Sequence, residues 1–254
     1  MGWQEIDGTD SSATGGKRMR PTLAMLAAEA VGGDLERATP IAVALEYVHN
    51  FSLIHDDLED MDRMRHHRPT VWAVWGKPAA IISGNAMLKI ADQAVWKLRS
   101  VGVEDSIALE AEAELTQQYL KMMEGQYLDI SFETEESVSV PQYLDMIERK
   151  TGALIEASVY LGGLVGPSSG PNRQKAVALK AIGHELGRIF QIRDDVLGIW
   201  GGKETGKPVG ADIKRKKKAL PAIHALNMSR GASASRIKDI FRTQDDLKEK
   251  DIHE

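Results

Sequence analysis

Two acidic clusters define the chemistry open to this chain. His55-Asp56-Asp57-Leu58-Glu59-Asp60 and Arg193-Asp194-Asp195-Val196-Leu197-Gly198 each interrupt a long apolar stretch, where charge is costly unless something compensates it. The 254 residues contain no cysteine, which excludes thiolate metal sites and disulfides. Oxygen ligands of this kind suit a hard divalent cation. Mg²⁺ takes one or two carboxylates and leaves its other positions to water and phosphate oxygens. Asp56 and Asp60 are four apart, so a helix places them one turn apart on one face. Asp57 points about 100° away and reads as a supporting group. Each cluster also has a plainer reading, a solvated acidic helix end for the first and a buried Asp–Arg pair with Arg193 for the second. The buried pair accounts for one carboxylate more easily than for two.

Basic segments accompany the acidic ones. Gly15-Gly16-Lys17-Arg18-Met19-Arg20-Pro21 precedes a helix-like stretch. Its glycines let backbone approach an anion, its cations neutralise one, and a helix N-terminus adds favourable partial charge. Arg65-His66-His67-Arg68 follows the first acidic cluster. Gly206-Lys207-Pro208, Asp212 and the basic run 214–218 follow the second. Solvated loops and surface ion pairs would explain each alone. Acid followed closely by base is what a Mg–diphosphate complex requires, so the pattern predicts an enzyme that handles diphosphates.

Helices must position these groups. Apolar spacing predicts helices at 22–31, 37–60, 78–99, 104–131, 140–164, 171–199, 219–228 and 233–241, separated by Gly32-Gly33, Gly76-Lys77-Pro78 and the loop Gly166–Gly170. No segment sustains period-two alternation. The composition agrees: 43% hydrophobic and only 6% aromatic, rich in helix formers. The expected architecture is all-α, a single-domain helical bundle over residues 1–254, with carboxylates projecting inward from facing helices. The polar residues 1–14 and the charged residues 242–254 suggest that a terminal helix is lacking at each end. A net charge of −5 argues against nucleic acid as a partner. No apolar run reaches the length of a membrane span, no signal peptide is evident, and the lack of cysteine fits a cytoplasmic location.

These segments, in this order, resemble the trans-isoprenyl diphosphate synthases, the polyprenyl synthetase family. GGKRMRP is similar to the family's isopentenyl-diphosphate loop and SLIHDDLEDMDRMRHHRPT to its first aspartate-rich motif. Lys150-Thr151-Gly152 is similar to the mid-chain allylic-diphosphate contact, FQIRDDVLG to the second aspartate-rich motif, and GKPVGADIKRKKKALP to the closing lysine segment. The resemblance runs from Gly15 to about Pro221. It implies a deep apolar cavity in the bundle, a homodimer, and three Mg²⁺ ions. Asp56 and Asp60, supported by Asp57, would hold two ions; Asp194, with Asp195 or Asp212, would hold the third. Arg65, Lys150, Thr151, Gln191, Lys207 and Lys217 would contact the allylic diphosphate. Lys17, Arg20, His49 and His66 would contact isopentenyl diphosphate.

Three positions depart from the family pattern. Gly198 stands where the second motif ends in a third Asp, His66 where a second Arg is common, and Asn85 where Asp is usual. The first departure predicts weaker metal binding, and the second a reduced or pH-sensitive affinity for isopentenyl diphosphate. The implied reaction is head-to-tail prenyl transfer. Phe51 and the small Ser52, five and four residues before Asp56, suggest a C20 product, geranylgeranyl diphosphate. Two other readings compete: a catalytically weak or non-catalytic partner subunit, motivated by the three departures, and an HD-type metal phosphohydrolase, motivated by His55-Asp56 with His49 upstream.

Overall fold

The computed structural model describes residues 16–65, 68–135, 137–168, 173–201, 210–214 and 216–242. The chain is all-α, as expected, and among the described residues strand is confined to a two-residue ribbon, β1 (Met64–Arg65) against β2 (Arg68–Pro69). The helices are α1 (Met19–Ala30), α2 (Leu35–Glu59), α3 (Val71–Trp75), α4 (Lys77–Trp96), α5 (Asp105–Thr134), α6 (Val140–Ile147), α7 (Ala153–Val165), α8 (Arg173–Trp200), α9 (Ala211–Lys214), α10 (Leu220–Met228) and α11 (Gly231–Arg242). No helix among the described residues is long and apolar enough to cross a membrane. The described residues fall into two compact units, one within Met1–Tyr119 and Leu154–Gly183, the other within Leu120–Ala153 and His184–Glu254.

The boundaries differ from the sequence expectation for identifiable reasons. α1 begins three residues early because Pro21 fits in a first turn, where its missing N–H costs nothing. α2 begins at Leu35 because the Asp34 side chain accepts from Glu36 N at 2.8 Å and caps it. Pro40 therefore lies inside the helix rather than in its first turn. α4 ends at Trp96 and tightens into a 3₁₀ turn, Lys97–Val101, closed by Gly102 at φ 79°. The stretch expected as one helix over 140–164 is interrupted by a π-helical turn, Glu148–Gly152.

In the first unit α2 is the central element. Ile41, Ala44, Leu45 and Val48 expose nothing, and burying each Leu, Ile or Val side chain stabilises by roughly 1.5–3 kcal/mol. α1 meets α7 through small residues, with Ala24 and Ala28 fully buried. A Cβ at Gly162 would lie 2.0 Å from the Ala24 carbonyl oxygen, so this close approach requires glycine. At the far end of α2, Ile54 packs with Trp72 and Ala80. Trp72 Nε1 and Thr70 Oγ1 both donate to the Asp62 carbonyl at 2.7 Å, and Arg63 lies 5.3 Å over the Trp72 ring. These contacts fix the segment after the first acidic cluster.

The second unit has its own core of Phe132, Val138, Tyr143, Met146, Ile147 and Ile223. α6 starts with a reciprocal cap: Ser139 Oγ accepts from Gln142 N, and the Gln142 side chain accepts from Ser139 N at 2.9 Å. This cap sets the register in which Tyr143 points inward.

Candidate active site

The first acidic cluster occupies the last turn of α2. Asp60 N donates to the Asp56 carbonyl at 2.8 Å, and Asp60 keeps helical dihedrals as the C-cap. The two carboxylates thus stand one turn apart, Asp56 half-buried and Asp60 exposed. Asp57 is 5% exposed. Arg65, on the ribbon, joins the first two: its Nε donates to Asp57 Oδ1 at 2.6 Å and its Nη2 to Asp56 Oδ2 at 2.7 Å. Burial pushes the Asp57 carboxyl above its ordinary value against the pull of Arg65. Burial also opposes the charge on Arg65, but Asp57 and Asp56 more than offset it and raise the guanidinium.

A cationic group lies in the same unit. Burial, then Arg20, then Arg65 drive the His49 imidazole down to about 2, so it is neutral throughout the physiological range. Burial lowers the Arg20 guanidinium to about 10, with Glu46 opposing. Arg20 Nε and Glu46 Oε2 are buried with no hydrogen-bond partner, and an unpaired buried donor on a cation is a place for an anion. Lys17 is exposed on the preceding loop. Phe51 is 4% exposed and meets the His55 ring edge-on at 4.8 Å between centroids. Ser52 Oγ donates to the His49 carbonyl. His55 Nε2 lies 3.4 Å from the Ile81 carbonyl, so this histidine packs against α4.

In the second unit the π turn carries Lys150 and Thr151, and α5 and α8 approach it closely. A Cβ at Gly125 would sit 2.1 Å from Lys150 N, and one at Gly187 would sit 2.6 Å from Gly152 Cα. Lys150 Nζ donates to Asp129 Oδ2 at 2.5 Å, and Lys217 Nζ is 3.8 Å from the same oxygen. Burial would raise the Asp129 carboxyl, but Lys217 and Lys150 together hold it below its ordinary value. Thr151 Oγ1 donates to Gln191 Oε1 at 2.6 Å, and Gln191 Nε2 donates to Asp195 Oδ1 at 2.8 Å. Asp195 Oδ2 also accepts from the Tyr143 hydroxyl at 2.6 Å and from Leu220 N at 3.0 Å.

Asp195, expected among the metal ligands, thus faces inward: it is 3% exposed and three protein donors occupy its oxygens. Asp194, one residue earlier, is half-buried. Gly198 is buried and Asn85 is exposed on α4. His66, Lys207 and the side chain of Asp212 lie outside the described residues, as do residues 1–14 and 243–254. Among the described residues no three His, Asp or Glu side chains converge on one point. Mg²⁺ does not need three, and the Asp56–Asp60 pair, with access to solvent, suits an ion that keeps waters and phosphate oxygens.

Sequence reasoning missed Asp129, Tyr143 and Glu46. A carboxylate one turn after a mid-helix glycine was the available signal for Asp129. Tyr143 and Glu46 carried none. The positive-φ residues other than glycine among the described residues are Arg18, Met61 and Lys216. Each falls within or beside one of the singled-out basic and acidic segments, and such strain persists where surrounding structure imposes it.

The polyprenyl synthetase family model matches residues 8–254. The chain is 43% identical over 237 residues to the (2E,6E)-farnesyl diphosphate synthase of Mycobacterium tuberculosis, an alignment covering 93% of this chain and 63% of that enzyme. It therefore spans less than two thirds of that relative's length. The crystal structure of geranylgeranyl pyrophosphate synthetase from Pyrococcus horikoshii superposes with a TM-score of 0.86 at 37% identity, covering 94% of this chain and 71% of that one. Geranylgeranyl pyrophosphate synthase from Corynebacterium glutamicum, solved with isoprenyl diphosphate and magnesium, gives a TM-score of 0.79 at 27% identity, covering 94% of this chain and 72% of that one.

Proposed function

This chain belongs to the polyprenyl synthetase family, and from that premise we propose that it condenses isopentenyl diphosphate head-to-tail with an allylic diphosphate to make a short-chain trans-prenyl diphosphate. The observation that carries the reading is the Asp56–Arg65–Asp57 clamp one helical turn before Asp60. It offers carboxylates for a hard cation beside a guanidinium fit for phosphate.

The allylic C–O bond breaks heterolytically and diphosphate leaves with the electron pair. The double bond of isopentenyl diphosphate attacks the resulting cation, and the released diphosphate takes the proton lost afterwards. No protein general base is required. Mg²⁺, when bound, would stabilise charge on the departing group; Asp56 and Asp60 would be its ligands in the first unit, and Asp194, with Asp212 assisting, would be its ligands in the second. Arg65, Lys150, Gln191, Lys207 and Lys217 orient the allylic diphosphate. Lys17, Arg20, His49 and His66 orient isopentenyl diphosphate. The unpartnered Arg20 Nε and the neutral His49 beside it support that second assignment, since an entering diphosphate satisfies the first and favours protonation of the second.

Relatives bear farnesyl and geranylgeranyl names, and the buried Phe51 beside small Ser52 favours the C20 product here. The whole of residues 1–254 acts as one prenyl synthase domain and pairs as a homodimer. Large apolar side chains left exposed on α4 and α5, Ile82, Trp96 and Leu109 at 60–68%, support the pairing, and sedimentation tests it. The deciding experiment incubates folded protein with Mg²⁺, isopentenyl diphosphate and farnesyl diphosphate and reads products by mass spectrometry. A C20 diphosphate is expected. No condensation product would refute the synthase reading and leave a binding partner subunit.

A further inference from the structure

We propose that Tyr143 is a positioning residue for the reaction: through Asp195 and Gln191 its hydroxyl fixes the direction in which Thr151 presents its oxygen. The inference rests on the proposed prenyl transfer, in which Thr151 and Gln191 stand beside the allylic substrate.

The polarity of the chain follows from the chemistry of its members. The Asp195 carboxylate only accepts. The group Gln191 turns toward it at 2.8 Å is therefore the amide NH₂, and the Gln191 carbonyl must face the other way. That carbonyl, an acceptor, meets the Thr151 hydroxyl at 2.6 Å, so Thr151 gives it its single proton. Toward any further partner Thr151 Oγ1 then offers lone pairs alone. While that proton stays with Gln191, Thr151 does not donate to a phosphate oxygen. It can face positive charge, and positive charge is what develops at the allylic carbon as its C–O bond breaks.

Tyr143 stands at the closed end of this chain. It is 1% exposed, and burial together with Asp195 pushes its hydroxyl well above the ordinary value, so it remains a donor. Asp195 Oδ2 takes that proton at 2.6 Å and the Leu220 N–H at 3.0 Å. With both donors the carboxylate plane is held from two elements. With Leu220 alone it can rotate, and the Gln191 amide loses its reference. Fixed hydrogen-bond chains of this kind couple members that do not touch.

The test uses Tyr143→Phe, which keeps the buried ring and removes only the hydroxyl. Relay action predicts a kcat lower by about tenfold, equivalent to about 1.4 kcal/mol, with the KM for isopentenyl diphosphate unchanged within about twofold. In a Thr151→Val background the same substitution should then cost less than about twofold, because the group it steers is gone. Losses that multiply independently overturn the proposal, as does a Tyr143→Phe protein that melts lower yet turns over normally when folded. A second readout needs no turnover. The Gln191 side-chain amide signal, assigned by its disappearance in Gln191→Met, should shift in Tyr143→Phe, and an unmoved signal sinks the relay. If Tyr143→Phe fails to fold, Asp195→Asn takes its place in both measurements, with the same outcomes deciding. A wild-type protein without prenyl transfer removes the proposed reaction, while the amide signal still decides the relay.

Discussion

Asp129→Asn separates electrostatic organisation from simple packing. Asp129 Oδ2 lies 2.5 Å from Lys150 Nζ and 3.8 Å from Lys217 Nζ, so the two ammoniums are no more than about 6 Å apart. At that distance an effective dielectric near 20 gives about 3 kcal/mol of repulsion once the carboxylate is neutralised. Lys217 is 37% exposed, so screening reduces this to roughly 1–2 kcal/mol. Weakening the charge-assisted bond to Lys150 adds about 1–2 kcal/mol. A total near 3 kcal/mol lowers Tm by about 6–12 °C in a chain of this size. The assay is thermal unfolding with and without inorganic pyrophosphate. The anion replaces the missing charge, so its stabilising shift should be larger in the variant than in wild type. The effect also has a pH signature. Asp129 ionises at lower pH in the fold than its ordinary 3.8, so its contribution is present above about pH 4 and disappears as pH falls through the folded value. The gap between wild type and variant should close in acid. An unchanged Tm, or an equal pyrophosphate shift in both proteins, would refute the argument.

Other outcomes are equally open to measurement. The His49 imidazole is driven to about 2 in the fold against an ordinary 6.5; the unfolded chain binds the proton first, so below pH 6.5 stability should fall by about 1.4 kcal/mol per pH unit from this group, and denaturant titrations of His49→Gln should lack that component. Gly125→Ala places a methyl against the Lys150 backbone and should cost about 1–3 kcal/mol, read by urea unfolding, with Lys150 displaced and turnover reduced. Phe51→Ala should lengthen the product by at least one isoprene unit; chromatography showing the same length would remove the role given to Phe51. Chelation of Mg²⁺ should abolish turnover and Zn²⁺ should not restore it, whereas rescue by Zn²⁺ would revive the phosphohydrolase reading.

The sequence alone settled the secondary structure class and most helix positions, because apolar spacing and glycine or proline breaks are local signals. It also placed the acidic pair correctly: a spacing of four on a helix leaves Asp56 and Asp60 little freedom but to share a face. Motif order was enough to identify the family. Local signals could not show that 140–164 is broken by a π turn, which lies where the α5 backbone approaches closely at Gly125. Nor could they separate Asp194 from its neighbour. The two are adjacent identical residues, and Asp195 turns inward where Tyr143 and the Leu220 N–H, both distant in sequence, join its helix neighbour Gln191 in converging on it. Asp129 escaped notice for the same reason, its meaning residing in two lysines brought to it by folding. Spacing determined which groups share an element; which groups share a proton or a charge was decided by contacts between elements.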